Sequence, residues 1–130
     1  MSDLVQQLID GAVSVRSPAE LDALPANTIT VLLHELNDEA ASALQRLTQL
    51  RSLVHSGNSS ITDQGVEALA KISTLEVLDL EWSAAISDQA LISLRRLSKL
   101  RWIDLSFCSS LSEDAIVTFS SGLPECEVER

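Results

Sequence analysis

Two stretches of the chain, 25 residues apart, have nearly the same sequence. Residues 61–80 read ITDQGVEALAKISTLEVLDL, and residues 86–105 read ISDQALISLRRLSKLRWIDL. Eight of the twenty paired positions hold the same residue, and most of the others exchange residues of one chemical type. An internal repeat of this length indicates a chain built from stacked copies of one small unit, because a single unit cannot bury its own apolar face.

Each copy changes its hydrophobic period in the middle. The stretch LEVLDL (75–80) ends in the alternation of a short strand, and ISDQALISLRRL (86–97) has apolar residues at helical spacing. Between them lies a polar residue suited to an N-cap, followed by an acid that suits the helix dipole. The predicted caps are Asn37, Thr62, Ser87 and Ser112, and the acids are Asp38, Asp63, Asp88 and Glu113. Each unit is therefore predicted to be a strand, a turn and a capped helix.

The last copy, LRWIDLSFCSSLSEDAIVTF (100–119), resembles the cysteine-containing class of leucine-rich repeats, written LxxLxLxxCxx(I/L)(T/S)DxxLxxL. Cys108 stands at the class's cysteine, and Asn58, Ser83 and His34 stand at that place in the other units. The resemblance covers about residues 24–128. It implies an α/β solenoid with short parallel strands on the concave face and helices on the convex face, in which Cys108 is a packed residue that bonds neighbouring loops.

The ends of such a solenoid need caps. Apolar stripes in 2–13 and 17–24 predict two short helices, the second with Ser17, Pro18 and Glu20 in a capping box. We therefore expect an N-terminal helical cap over 1–24 and repeats over 25–130, with the first strand at 28–31 (TITV). The repeat bounds are about 25–49, 50–74, 75–99 and 100–124, and a closing strand follows at 125–130.

Composition limits the classes of partner. The 130 residues carry a net charge of −10, which disfavours nucleic acid and anionic lipid. No apolar run is long enough to span a bilayer, and the acidic N-terminus does not resemble a signal peptide. Cys108 and Cys126 form no disulfide framework, which fits the reducing cytoplasm. We therefore expect a cytoplasmic domain with a protein partner, and neither nucleic acid nor membrane.

Positions that the repeat leaves free on the strands are the candidate binding residues. They are Val54, Asp79, Glu81, Trp82, Trp102, Asp104 and Phe107. Aromatic side chains beside polar groups are enriched at interface hot spots, and like charges on neighbouring strands favour a basic partner. The alternatives are that the aromatic rings shield strand ends, and that the acids are tolerated surface residues or hold a cation.

Residues with catalytic or ligand-binding chemistry are few. The four glycines form no phosphate loop, and no cysteine or histidine has metal-ligand spacing, so we expect no catalytic residue, metal or cofactor. His55 falls in an inward column, which predicts a buried neutral histidine, or alternatively a pH-sensitive weak point. Arg51, Glu76 and Arg101 predict an ion-pair ladder. Arg95, Arg96 and Lys99 form a basic cluster on a helix, either a solvated face or a contact for an acidic partner.

The sequence therefore predicts a non-catalytic protein–protein interaction module that binds a basic or amphipathic polypeptide on its concave strand face. The alternative is a structural or scaffolding subunit of a larger complex, such as the substrate-recognition part of an adaptor. A homo-oligomer formed through a solenoid end is compatible with either function.

Overall fold

The computed structural model describes residues 2–130 and contains one six-stranded sheet in which every neighbouring pair of strands is parallel. The strands follow chain order across the sheet and are β1 (Val13–Val15), β2 (Thr30–Leu36), β3 (Ser52–Ser59), β4 (Val77–Asp79), β5 (Trp102–Asp104) and β6 (Glu127–Glu129). The helices are α1 (Asp3–Asp10), α2 (Pro18–Asp22), α3 (Asp38–Leu44), α4 (Asp63–Leu69), α5 (Asp88–Leu94) and α6 (Glu113–Gly122). The predicted α/β class with parallel strands is confirmed.

The main core lies between the sheet and the helices α2 to α6. The column Leu53, Leu78 and Ile103, which follows from the 25-residue repeat, pairs across the strands, and Val31 of β2 pairs with Leu53. The same apolar cluster contains the equivalent helix residues Leu44, Leu69, Leu94 and Phe119, and all eight side chains are fully buried. Each unit thus buries its apolar residues against its neighbours, as expected of a repeat that cannot fold alone.

The four predicted N-caps are confirmed. In each case the side-chain oxygen accepts a hydrogen bond from a backbone N–H of the first turn. Such a cap satisfies one of the N–H groups that a helix start leaves without a partner. The cap residues therefore define where the four helices begin.

The acids after the caps do more than complement the helix dipole. Asp63 accepts hydrogen bonds from the N–H of Ser87 at 2.7 Å and from its hydroxyl at 2.5 Å. Asp38 binds Thr62, and Asp88 binds Ser112, in the same way. The bonds from Ser112 lower the pKa of the Asp88 carboxyl. Each acid therefore ties its helix to the cap of the next unit, and we call these contacts the Asp–cap ladder.

A second ladder runs along the opposite ends of the strands and is also confirmed. The Glu76 carboxylate lies between two guanidinium groups: it pairs with Arg51, and its Oε1 is 3.3 Å from Nε of Arg101. The hydrogen bond to Glu76 raises the pKa of Arg51. Because Glu76 is shared, this ladder joins three consecutive units.

The first unit departs from the predicted register. Val31 pairs with Leu53, so the segment from strand to helix is three residues shorter than in the next unit. The strand begins at Thr30 rather than at residue 28, and the pairing shifts between Leu33 and Glu35. At this irregularity a Cβ on Gly57 would lie 2.1 Å from the His34 carbonyl oxygen, so only glycine fits.

This register also corrects the column assigned to the repeat's cysteine. Ser59, not Asn58, bonds Ser83 through their hydroxyls at 2.6 Å, while Asn58 is exposed. Buried Leu36 pairs with Ser59, so His34 does not belong to this column. Cys108 is buried, and its thiol donates to the Leu80 carbonyl oxygen at 3.1 Å, which confirms the packed role.

The two N-terminal helices lie on opposite faces of the sheet. α2 has the predicted Ser17 cap, whose hydroxyl oxygen accepts from the Glu20 N–H, but the Glu20 carboxylate accepts from the N–H of Arg16 rather than from that of Ser17, as the predicted capping box would require. α2 packs beside α3, whereas α1 contacts β2, β3 and β4 on the other face. We call the face opposite α2 to α6 the strand face. No helix within residues 2–130 is long and apolar enough to cross a bilayer.

The Asp–cap ladder makes a testable contribution to stability. We expect Asp63→Ala to lower the free energy of unfolding by about 2 kcal/mol, because both donors of Ser87 lose a charged acceptor. Urea denaturation followed by circular dichroism measures this difference. Glu67→Ala, on an exposed position of the same helix, is the control. Equal losses in the two variants would contradict a role for the ladder in joining units.

Candidate functional site

The seven predicted binding residues fall into three groups along the strand face. Val77 pairs with Trp102, and Asp79 pairs with Asp104, so the two strands carry matching residues. Val54 and Trp102 are buried, and three carboxylates follow, on Asp79, Glu81 and Asp104. Two exposed rings, Trp82 and Phe107, come last. The groups form a strip from the covered part of β4 and β5 to the turns that follow them.

The expectation that Val54 and Trp102 are open to a partner is wrong. Val5 and Leu8 of α1 pack against Val54, Val77 and Trp102, leaving Val54 6% and Trp102 5% exposed. The 2–13 stripe was predicted to cap the end of the repeats, but α1 covers the strand face instead. An apolar stripe indicates that a helix is covered on one side, and it does not indicate which apolar surface covers it.

The three carboxylates converge beside this covered region. One oxygen each of Asp79, Glu81 and Asp104 lies within 4.8 Å of the others. Asp79 Oδ1 accepts from the Glu81 N–H at 3.0 Å, and Asp104 Oδ1 accepts from the Ser106 N–H at 2.8 Å. These bonds to the backbone two residues on are Asx turns, which end the strands. The two aspartates therefore have a structural role as well as a shared negative field.

Asp79 is the most perturbed member of the cluster. Burial raises the pKa of its carboxyl to about 6, and the charges of Glu81 and Asp104 act in the same direction. The Glu81 N–H and the nearby His55 ring oppose the rise without cancelling it. A buried carboxyl beside two others favours a proton or another cation at this place.

The two exposed rings are held in an unusual backbone conformation. Trp82 has a φ of 65° and Phe107 a φ of 60°, and they are the only non-glycine residues with positive φ in the described chain. Their rings stack with centroids 4.1 Å apart and planes 8° apart, yet Trp82 is 59% and Phe107 62% exposed. The left-handed conformation costs bulky residues on the order of 1–3 kcal/mol. The 25-residue spacing puts the two rings at equivalent positions of adjacent units, which agrees with their contact, while the backbone strain had no signal in the sequence.

His55 lies under the carboxylates and is buried as predicted. Its Nδ1 is 3.2 Å from the Gly57 carbonyl oxygen, and its Nε2 is 3.0 Å from that of Glu81 and 3.6 Å from Asp79 Oδ1. Both ring nitrogens therefore face oxygen acceptors. A ring with one proton can donate on only one side, and a ring with two can donate on both.

One polar cluster was missed by sequence reasoning. The Ser14 hydroxyl lies 2.9 Å from Nε2 of His34, and the Ser56 hydroxyl lies 3.4 Å from its Nδ1. A serine–histidine pair oriented by a third group is the arrangement used in nucleophilic catalysis. Here Ser14 and Ser56 are both exposed, and the contacts join β1, β2 and β3 across the sheet. No sequence spacing indicated this contact, because it depends on the short first unit.

The cysteines have the properties of packed residues. Burial raises the pKa of the Cys108 thiol to about 11, and burial likewise raises that of Cys126 to about 11. The thiolate is the nucleophilic and metal-binding form, so neither thiol is activated near neutral pH. The chemistry that the strand face offers is therefore attraction of positive charge by carboxylates and contact with two aromatic rings.

The burial of Asp79 has a pH-dependent consequence. The folded chain binds this proton more tightly than the unfolded chain, so ionising Asp79 lowers stability as pH rises from about 4 to about 6. Asp79→Asn removes this pH-dependent contribution to the free energy of unfolding and keeps an acceptor for the Glu81 N–H. We expect the unfolding free energy, variant minus wild type, to rise by about 2 kcal/mol from pH 4 to pH 7.

Urea denaturation at a series of pH values measures this difference. Glu67→Gln, which removes one negative charge at an exposed position, is the matched control. A difference between Asp79→Asn and wild type that stays constant over this range would contradict the raised pKa of Asp79.

Comparison with known proteins does not place the chain in a family. A scan against models of protein families finds no match, and a search of curated protein sequences finds no relative. The candidate function therefore rests on the residues and geometry of the strand face.

Proposed function

We propose that the chain is a leucine-rich-repeat solenoid that binds a basic polypeptide segment on its strand face, which is the concave face of such a solenoid. The parallel strands in chain order and the Asp–cap ladder between successive units support the repeat architecture. One observation carries the binding function: two stacked aromatic rings are held exposed, in a strained backbone, beside three converging carboxylates.

The aromatic pair is better explained by binding than by packing. A ring that shields a strand end gains stability by being covered, but Trp82 and Phe107 each leave more than half of their surface open. Their backbone conformation is unfavourable, and asparagine or glycine would adopt it at lower cost. A fold selected for stability alone has no reason to place two bulky rings here. Exposed aromatic side chains are the commonest anchors of protein interfaces.

The charge of the site favours a basic occupant. Asp79, Glu81 and Asp104 repel one another, and a lysine or arginine side chain would relieve the repulsion. The faces of Trp82 and Phe107 can also contact a cation. The oxygens that converge, one from each carboxylate, are fewer than the six to eight that Ca²⁺ prefers, so a cationic side chain matches the cluster better.

A role as a scaffolding subunit is the second candidate. Ile92 on α5 is 54% exposed, and Val117 on α6 is 49% exposed. Arg95 and Arg96 follow α5 and are also exposed. Exposed apolar side chains next to charged ones are typical of interaction surfaces, and an acidic second copy would fit this patch. Sedimentation of wild type and Ile92→Asn tests self-association through it separately from binding at the strand face.

The binding proposal predicts that one change leaves stability nearly unchanged and weakens binding. We expect Trp82→Asn/Phe107→Asn to change the unfolding free energy by less than about 1 kcal/mol, because relief of strain offsets the lost stacking. The same variant should lose at least about tenfold in affinity for basic peptides. Peptides are first selected on wild type from a random display library and then measured by calorimetry.

The selected peptides should be enriched in lysine and arginine, and their affinity should fall as salt rises. Ile92→Asn, an exposed position on the helix side, is the control and should bind them as wild type does. The proposal would be contradicted if the selected peptides lacked basic residues, or if the Trp82/Phe107 variant bound them as tightly as wild type does.

A further inference from the structure

Two buried polar atoms on the strand face have no hydrogen-bond partner among the described residues: Oγ of Ser52 and Nε1 of Trp102. Both belong to one row across the sheet, in which Ser52 pairs with Val77 and Val77 with Trp102. Ser52 is fully buried and Trp102 is 95% buried, at 5% exposure. A buried donor without an acceptor destabilises the state that contains it. The two unpaired donors of this row therefore destabilise the conformation in which α1 covers it.

Helix α1 covers this row with apolar side chains only. Val5 and Leu8 belong to the same apolar cluster as Val77 and Trp102, and no backbone carbonyl of α1 accepts from Oγ of Ser52 or Nε1 of Trp102. The next residue of the same row is Thr30, which pairs with Ser52. Its hydroxyl donates to the Gly11 carbonyl oxygen at 2.9 Å, just beyond the end of α1. At this one position of the row, a backbone carbonyl beyond the end of α1 satisfies the donor.

Helix α1 is held on the strand face by a small number of side chains. α1 has eight residues, of which only Val5 and Leu8 are buried. Helices shorter than about 12 residues are marginal in water without tertiary contacts, so α1 depends on this apolar contact, on which Leu4, Ile9 and Ala12 also pack, and on the Thr30–Gly11 hydrogen bond. Segments with few buried contacts open locally without global unfolding.

We propose that the strand face beneath α1 is an inner binding surface for an extended polypeptide segment, which displaces α1 and accepts hydrogen bonds from Ser52 and Trp102 through its backbone carbonyls. The proposal rests on the proposed function, since Val77 and Trp102 continue directly into Asp79 and Asp104 on the same strands. A basic extended segment would reach from the exposed rings, over the carboxylates, to the row under α1. An extended segment fits because all of its backbone carbonyl groups are free to accept, whereas a helix leaves only those of its last turn free.

The first test measures whether α1 can leave the strand face. In a Trp82→Phe background Trp102 is the only tryptophan, so its fluorescence reports its cover. Val5→Asp/Leu8→Asp should shift the emission to longer wavelength and increase quenching by acrylamide, while circular dichroism still shows cooperative unfolding. Gln6→Asp/Gln7→Asp places the same added charge on exposed positions of α1 and is the control. Cooperative loss of the whole fold in the Val5/Leu8 variant would overturn the proposal.

The second test measures binding to the uncovered row. The probe is an acetylated and amidated (Lys-Val)₄ peptide, with (Glu-Val)₄ as the acidic comparison. We expect Val5→Asp/Leu8→Asp to bind (Lys-Val)₄ about tenfold more tightly than Gln6→Asp/Gln7→Asp, because wild-type affinity is reduced by the small open fraction. Equal affinities, or no binding to either variant, would overturn the inner surface.

A third test separates the hydrogen bonds from the apolar contact. Ser52→Ala removes a donor that has no partner under α1, so it should not lower the melting temperature of the free protein, whereas Trp102→Phe also removes buried ring volume and is compared in binding only. Both should weaken the binding of (Lys-Val)₄ to the Val5/Leu8 variant. Unchanged binding would contradict carbonyl recognition by these donors.

The tests also separate the two proposals. If (Lys-Val)₄ binding is lost in Trp82→Asn/Phe107→Asn but is unaffected by uncovering the row, the outer surface stands and the inner surface falls. If the peptide binds only when α1 is displaced and ignores Trp82 and Phe107, the exposed rings are not part of the site. Loss in both sets of variants supports one continuous surface.

Discussion

The Asp–cap ladder is the interaction on which the rest of the structure depends. An acid at the start of one helix accepts from the N–H and hydroxyl of the next cap, at Asp38–Thr62, Asp63–Ser87 and Asp88–Ser112. These contacts keep successive helices in phase, so the leucine columns meet and the strands pair in chain order. The aligned strands in turn bring Asp79 beside Asp104 and Trp82 beside Phe107. A local capping pattern thereby positions the candidate site.

The periodic part of the fold could be predicted from the sequence because one pattern recurs. The caps, the buried columns and the Arg51–Glu76–Arg101 ladder all follow from the 25-residue spacing. The first unit was predicted poorly, since its shorter loop changes the partners of His34 and Leu36. Where the period breaks, pairing is decided by three-dimensional contacts such as the approach of Gly57 to the His34 carbonyl.

The sequence predicted which residues share the face of the candidate site, but it did not predict which of them are covered or their backbone conformation. Spacing placed the acids and rings on one face, and that is where they lie. It could not predict the cover over Val54 and Trp102, because α1 lies outside the repeat and its apolar stripe fits several surfaces. The positive φ of Trp82 and Phe107 was likewise invisible, since residues of this kind are normally the least suited to that conformation.

The acids and the rings are not equally informative about binding. Asp79 and Asp104 form Asx turns, so their presence has a structural explanation even though their mutual repulsion is unfavourable. The turns place Trp82 and Phe107 at the following position, where the chain needs only a residue that tolerates positive φ. Asparagine would meet that need with less strain. The choice of two large rings, left exposed, is therefore the feature that stability does not explain, and it is the reason to expect a partner at this end of the strand face.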